Sequence, residues 1–137
     1  MRFLDANIFL RHLTQDDPVK AQACLQLFRA IGQGSSPAWT SDLVVAEVVF
    51  VLSSKQGSQY GYARPQIRDG LLPLLLLPSL ALPSKPLYPR IFALYTTLAI
   101  DFIDAYHAAL VESSAQPELY SYDRDFDRVT SIKRLEP

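Results

Sequence analysis

Three aspartates stand at alternate positions near the end of the sequence, in the run SYDRDFDRV. Asp123, Asp125 and Asp127 suggest a calcium-binding loop, in which alternate positions supply oxygen ligands. Counted from Asp123, such a loop requires glycine at its sixth position and glutamate at its twelfth. The chain has Arg128 and Arg134 at those positions. The calcium loop is therefore excluded, and the aspartates need another explanation.

The run divides more naturally into one functional acid and two surface acids. Asp123 follows a predicted strand, so it can point into a site at the carboxyl end of that strand. Phe126, three residues later, is expected to anchor the turn in the core. Asp125 and Asp127 are expected to face solvent, in weak ion pairs with Arg124 or Arg128.

Two further acids stand at the ends of predicted elements. Asp5 follows MRFL, at the carboxyl end of the first predicted strand. Asp104 lies in the first turn of a predicted helix, where the helix dipole favours an anion. Asp101, three residues earlier, is expected to be the N-cap of that helix. His107, one turn beyond Asp104, is expected to be a packed or supporting residue.

Glu47 is unusual because it interrupts the apolar run LVVAEVVFVL. An ionised carboxylate on a buried helix costs several kcal/mol unless it is paired or bound to a cation. The alternatives are a narrow solvent-facing stripe or a pair with an arginine.

Four of these acids come from separate elements but can meet at one edge of a parallel sheet: Asp5, Glu47, Asp104 and Asp123. Carboxylates brought together in a cleft repel one another, and they are relieved by taking up protons or by binding divalent cations. Sites made only of oxygen ligands suit Mg²⁺ or Mn²⁺. Such cations lower the pKa of a bound water and stabilise a phosphodiester transition state.

The elements that position these acids alternate along the chain, which predicts an α/β fold with a parallel sheet covered on both faces. The predicted strands are residues 2–4, 38–40, 80–82, 119–121 and 132–135. The predicted helices are residues 8–13, 18–31, 43–55, 64–77, 87–99 and 102–115. Asp16 or Asp17 can cap the second helix and Ser41 or Asp42 the third. Pro73 is expected to kink or split the fourth.

Length and composition predict an ordinary globular chain. The 137 residues fit a single domain over 1–137, with 49% apolar and 20% charged residues and a net charge of -1. That charge neither indicates nor excludes a nucleic-acid partner. Cys24 is the only cysteine, which excludes an internal disulfide and favours a cytoplasmic location. No signal-peptide pattern is expected at the N-terminus, and the proline-interrupted run GLLPLLLLPSLALP predicts buried core rather than a membrane span.

The sequence resembles the PIN-domain ribonucleases of the VapC toxin type, the toxin half of type II toxin–antitoxin pairs. The matching segments are FLDANIFLR (3–11), TSDLVVAEVVFVL (40–52), IDFIDAYHAAL (100–110) and SYDRDFDRV (121–129). They occur in the order and at the spacing of that family. The resemblance implies a PIN-like three-layer α/β/α sandwich with a central parallel β-sheet, and a Mg²⁺- or Mn²⁺-dependent endoribonuclease.

The resemblance also implies roles for particular residues. It carries four acids over as catalytic metal ligands: Asp5, Glu47, Asp104 and Asp123. It gives supporting roles to Asn7, Ser41 and Ser121, with Asn7 hydrogen-bonding Asp5 or ordering its loop. One or two divalent ions, bridged by Asp5, would activate water for in-line attack on an RNA phosphodiester. Tyr106 stands where the family often has leucine, a departure that concerns packing.

The partners implied by the resemblance are RNA, a cognate antitoxin and a second copy of the chain. The antitoxin would wrap the toxin and insert a basic side chain into the acidic site. The apolar segments 8–13 and 44–52 suit either a homodimer interface or the internal core. No membrane partner is expected. Candidate phosphate contacts are Arg11, Lys55, Arg64, Arg68, Arg124 and Arg128. The alternatives are a PIN nuclease of RNA processing without an antitoxin, a non-catalytic module that binds RNA or protein, and a phosphatase of small esters.

Overall fold

The elements of the computed structural model alternate between short strands and helices, and they are described over residues 1–55 and 60–137. The strands are β1 (Arg2–Phe3), β2 (Ala38–Trp39), β3 (Leu80–Ala81), β4 (Glu118–Tyr120) and β5 (Lys133–Leu135). The helices are α1 (Ala6–Thr14), α2 (Pro18–Gly32), α3 (Asp42–Ser53), α4 (Arg64–Leu75), α5 (Tyr88–Thr97) and α6 (Phe102–Glu112). Short 3-10 helices span Lys85–Leu87 and Arg124–Arg128. The strand pairs are parallel, which confirms the predicted α/β class.

The first of two compact units, Met1–Lys85, is built on a parallel sheet in the order β1-β2-β3. Helix α1 packs against α2, α3 and α4. The side chains of Phe9, Leu52 and Leu71 are among those fully buried. Thr40, a buried polar residue, donates its hydroxyl to the Leu4 carbonyl at 2.8 Å. This bond ties the end of β2 to the end of β1.

The second unit, Pro86–Pro137, combines helices α5 and α6 with the parallel pair β4-β5. Helix α5 packs against α6, and α6 contacts β4. The rings of Phe92 and Tyr95 lie 5.5 and 5.6 Å from the ring of Phe102. Arg90 on α5 makes hydrogen bonds of 2.7 and 3.0 Å to Glu112 at the end of α6. The assignment of residues 1–137 to one domain stays a prediction.

Several predicted helix bounds are wrong by a few residues. Helix α1 begins at Ala6 rather than residue 8 because Asp5 is its extended N-cap residue, with φ −81° and ψ 164°. Pro73 does not split α4, which continues to Leu75. Pro73 lies in the last turn, so the helix loses only one late backbone hydrogen bond. The predicted helix 87–99 is shorter, and β4 lies one residue earlier than predicted.

Helix α3 confirms the prediction of a helix in a β-branched segment. The Ser41 hydroxyl accepts from the Val44 N–H at 3.2 Å, so Ser41 is the N-cap. Val44, Val45, Val48 and Val49 pack into the core. Glu47 lies on the opposite face, between Leu43 and Phe50, whose side chains are 82% and 71% exposed. Of the alternatives for Glu47, the solvent-facing stripe is confirmed, since the 43-47-50 spacing places Glu47 with two exposed residues.

The apolar run beginning at Gly70 contributes to the core, as predicted. Leu71, Leu75, Leu80 and Leu82 are buried. Across the residues that the structure describes, no helix has the length and apolar character needed to cross a membrane.

Candidate metal centre

Helix α6 positions Asp104 near its N-terminus. Asp104 lies in the first turn and is half-buried. Asp101 occupies the N-cap position in an extended conformation, as predicted, although among the described residues its carboxylate makes no capping hydrogen bond. Asp101 therefore acts on this helix end through its negative charge.

The segment after β4 positions Asp123 through local hydrogen bonds. The Ser121 hydroxyl oxygen accepts from the Asp123 N–H at 3.0 Å. The Asp123 carboxylate in turn accepts from the Asp125 N–H at 2.9 Å and caps the 3-10 helix Arg124–Arg128. Phe126 is buried and anchors this helix, as predicted. The turn therefore orients Asp123 before any ligand binds.

Carboxylate oxygens of Asp104, Asp123 and Asp125 lie within 4.8 Å of one another. Asp125 was expected to face solvent, and its side chain is 45% exposed, but its carboxylate also joins the cluster. Its predicted pair with Arg128 is present at 3.7 Å. We call these three aspartates the acid cluster.

Backbone geometry separates Asp125 from Asp127. In a strand, residues two apart would point to the same face, but a 3-10 helix has three residues per turn, so these side chains diverge. Asp127 is exposed and binds Arg134 at 3.0 and 3.3 Å. Arg134 also donates to the Ser121 carbonyl at 2.9 Å. One sequence signal could have placed Asp125 in the cluster. Asp123 is followed two residues later by Asp125 and then by the apolar anchor Phe126, a pattern typical of a capped turn.

Burial and the charge of the cluster raise the pKa of Asp104. Burial is the largest cause, followed by the negative charges of Asp123, Asp101 and Asp125, while His107 opposes the shift. A raised pKa means that the ionised cluster is costly without a counter-charge. Three oxygen-donor side chains this close together match the hard-ligand preference of Mg²⁺ or Mn²⁺. The donor set therefore fits a divalent cation.

The predicted site residues of the Met1–Lys85 unit are described within that unit. Asp5 is exposed at the N-cap of α1, directly after the Leu4 carbonyl that Thr40 holds. Asn7 is exposed, and in the part of the chain described here it makes no hydrogen bond to Asp5. Glu47 is exposed on α3. The structure brings Asp104 and Asp123 together, whereas the membership of Asp5 and Glu47 in their site stays a prediction.

Several predicted phosphate contacts have protein partners. Arg11 pairs with Asp16 at 2.9 Å and Arg68 with Asp69 at 2.9 Å. Arg128 donates to the Ala99 carbonyl at 2.7 Å. Arg124 is exposed and adjoins Asp123 in the chain, so it stays a candidate phosphate contact.

Parallel strands and helices define an α/β fold, and the acid cluster is its candidate metal site. The PIN domain family matches residues 2–132. The chain therefore belongs to the PIN domain family, whose members are generally nucleases and typically bind divalent metals. Comparison with curated proteins gives no match.

Proposed function

We propose that this PIN domain is a Mg²⁺- or Mn²⁺-dependent endoribonuclease and the toxin of a VapC-type toxin–antitoxin pair. The observation that carries the proposal is the acid cluster, whose carboxylate oxygens lie within 4.8 Å of one another in a PIN domain. The raised pKa of Asp104 supports it, because a cation would relieve the cost of the ionised cluster.

Each residue of the site has a proposed role. Asp104 and Asp123 hold the cation, with Asp125 within reach, and Ser121 keeps Asp123 oriented through its 3.0 Å hydrogen bond. When bound, the cation lowers the pKa of a water and offsets charge on the phosphodiester. Arg124 binds a phosphate oxygen through charge-assisted hydrogen bonds. Asp5 and Glu47 complete the ligand set, a role that rests on the resemblance alone.

The toxin assignment rests on the four matching segments and on one surface feature. Leu43 and Phe50 leave apolar area exposed on both sides of Glu47, which supports a protein partner at α3. That partner is proposed to be the cognate antitoxin, and the toxin a cytoplasmic homodimer. A PIN nuclease of RNA processing is the alternative, and a co-purifying antitoxin that inhibits cleavage distinguishes the two.

The test compares two aspartates of the same run. Purified wild-type protein, Asp123→Asn and Asp127→Asn are incubated with structured RNAs in Mg²⁺, Mn²⁺ or EDTA, and the new RNA ends are sequenced. Asp123→Asn should lose at least about 100-fold in rate, beyond the 10- to 100-fold typical of residues outside the ligand set. Asp127 pairs with Arg134 outside the cluster, so Asp127→Asn should retain most of the wild-type cleavage rate.

Two outcomes would overturn the proposal. One is undiminished cleavage by Asp123→Asn with metal present. The other is a wild-type protein that binds RNA without cutting it in either metal, which would make it a binding module. Hydrolysis of a chromogenic phosphate ester with intact RNA would instead identify a phosphatase.

A further inference from the structure

A cavity of about 440 Å³ lies beside the acid cluster, within the Pro86–Pro137 unit. Asp104 and Asp123 line one part of it, and Leu110 and Leu119 are among its apolar lining residues. Its volume falls within the range of about 300–1,000 Å³ common for small-ligand sites. The cavity thus joins apolar surface directly to the proposed metal ligands.

Two aromatic side chains at this cavity are open to solvent. His107 is exposed on α6, one turn beyond Asp104, and Tyr120 is 72% exposed at the end of β4. The flat faces of such rings are where nucleic-acid bases stack in proteins that bind single strands. Ser121 adds a polar group, because its oxygen accepts from the Asp123 N–H and its own hydrogen stays available to donate.

We propose that this cavity binds one unstacked base of a single-stranded RNA, so that the adjoining phosphate reaches the acid cluster. The inference rests on the proposed function and specifies the form of its substrate. Tyr120 stacks on the base, Leu110 and Leu119 contact its apolar surface, and Ser121 binds its polar edge. A base within an A-form duplex is stacked on both faces and paired, so its faces are closed to Tyr120. The proposed stacking therefore requires a base that is unstacked.

The chain offers a matched control in Tyr122. Tyr120 and Tyr122 are exposed to nearly the same extent, 72% and 71%. Tyr120 lines the cavity, whereas Tyr122 is not among the residues described around it. If both tyrosines act only as surface aromatics, replacing either one should weaken RNA binding equally. If Tyr120 binds a base, only its replacement should weaken RNA binding.

The experiment measures binding without cleavage. Fluorescein-labelled six-nucleotide homopolymers of A, U and C are titrated in EDTA with wild-type protein, Tyr120→Ala, Tyr122→Ala and Tyr120→Trp, and anisotropy gives Kd. Tyr120→Ala should weaken the tightest-binding homopolymer by about 5- to 100-fold, the usual effect of losing one stacked base. Tyr122→Ala should stay within about twofold and Tyr120→Trp should retain affinity, since indole also stacks.

An abasic ribose placed at each position of that homopolymer in turn locates the bound base. At one position, removing the base should weaken binding to the wild-type protein as much as Tyr120→Ala weakens binding to the intact homopolymer. Combining the abasic position with Tyr120→Ala should cause no further loss of affinity. A duplex of the same sequence should bind equally well to all the variants.

The result that would overturn the inference is an equal effect of Tyr120→Ala and Tyr122→Ala, or no effect of Tyr120→Ala. The two proposals fail separately. RNA cleavage that is insensitive to Tyr120→Ala overturns the base site and leaves the nuclease standing. Tyr120-dependent binding by a wild-type protein that never cleaves RNA overturns the nuclease and supports the base site.

Discussion

Replacing Asp125 with asparagine tests the geometry of the acid cluster, because asparagine keeps the size of the side chain and removes its charge. Two opposing effects follow in the metal-free protein. The repulsion of Asp125 by Asp104 and Asp123 disappears, and the 3.7 Å ion pair with Arg128 is lost. With metal, the variant also lacks one candidate ligand.

The separations in the cluster set the size of each effect. Two unit charges 4.8 Å apart repel by about 1 kcal/mol in water and about 3.5 kcal/mol at an effective dielectric constant of about 20. The side chains of Asp125 and Arg128 are 45% and 48% exposed, so the lower value applies. Their ion pair contributes less than about 1 kcal/mol to the free energy of unfolding. Because two neighbours are relieved and one pair is lost, metal-free Asp125→Asn should gain about 0.5–1 kcal/mol of stability at neutral pH.

Metal binding should respond in the opposite direction. Loss of one anionic ligand should raise the Kd for Mn²⁺ about tenfold, which corresponds to about 1.4 kcal/mol. Urea unfolding in EDTA measures the first effect, and calorimetric titration with MnCl₂ measures the second. Asp127→Asn is the control for the titration, because Asp127 pairs with Arg134 and lies outside the cluster.

Acid should remove the gain in stability. The pKa of Asp104 is raised by burial and by its anionic neighbours, so Asp104 takes up a proton early as the pH falls, and the repulsion fades with it. Lower metal-free stability of Asp125→Asn at neutral pH, together with unchanged Mn²⁺ affinity, would refute the reasoning that these three carboxylates form one site.

Two further predictions concern the interactions that hold each unit together. The Arg90 hydrogen bonds lower the pKa of Glu112 from its usual 4.5, so the contribution of Glu112 is complete above the unfolded pKa and is lost as pH falls through the lower folded pKa. Glu112→Gln should therefore cost about 1 kcal/mol of unfolding free energy near pH 7 and progressively less as the pH falls below 4.5, measured in urea; a pH-independent difference would contradict this. Thr40→Val should cost about 1–3 kcal/mol, because the Leu4 carbonyl loses its buried hydroxyl donor. Thr97→Val, at an exposed hydroxyl bonded to the Ala93 carbonyl, should cost much less, and equal losses would contradict the assigned role of burial.

Helices and strands were predictable from the sequence where their capping residues and apolar pattern lie within the element itself. Helix α3 was recognised in spite of its β-branched residues because its length and its Ser41 cap outweigh strand propensity. Asp104 and Asp123 were selected for their places at a helix start and a strand end, and the structure brings them together. The predicted split of α4 at Pro73 is wrong, because the helix ends only two residues after Pro73, at Leu75, and the sequence does not reveal that end.

The surroundings of the acids were less predictable. Glu47 interrupts an apolar run, so the sequence left open whether it is buried, and the structure decides this because Leu43 and Phe50, on the same face, are themselves exposed. Asp125 was assigned to solvent, and its side chain is 45% exposed, but the turn into a 3-10 helix also brings its carboxylate to Asp104 and Asp123. Both outcomes depend on which faces of the local elements the rest of the chain covers.

Caps and apolar periodicity were sufficient to predict the α/β class and the order of the elements, because these depend on interactions between residues close in the chain. The PIN resemblance came from four matching segments of the sequence. The 4.8 Å acid cluster, the raised pKa of Asp104 and the cavity beside Tyr120 were not predictable in this way. They arise where helix α6 meets the turn after β4, between residues about twenty positions apart. Such distances follow from how buried side chains such as Phe126 pack together, which short-range sequence patterns do not encode.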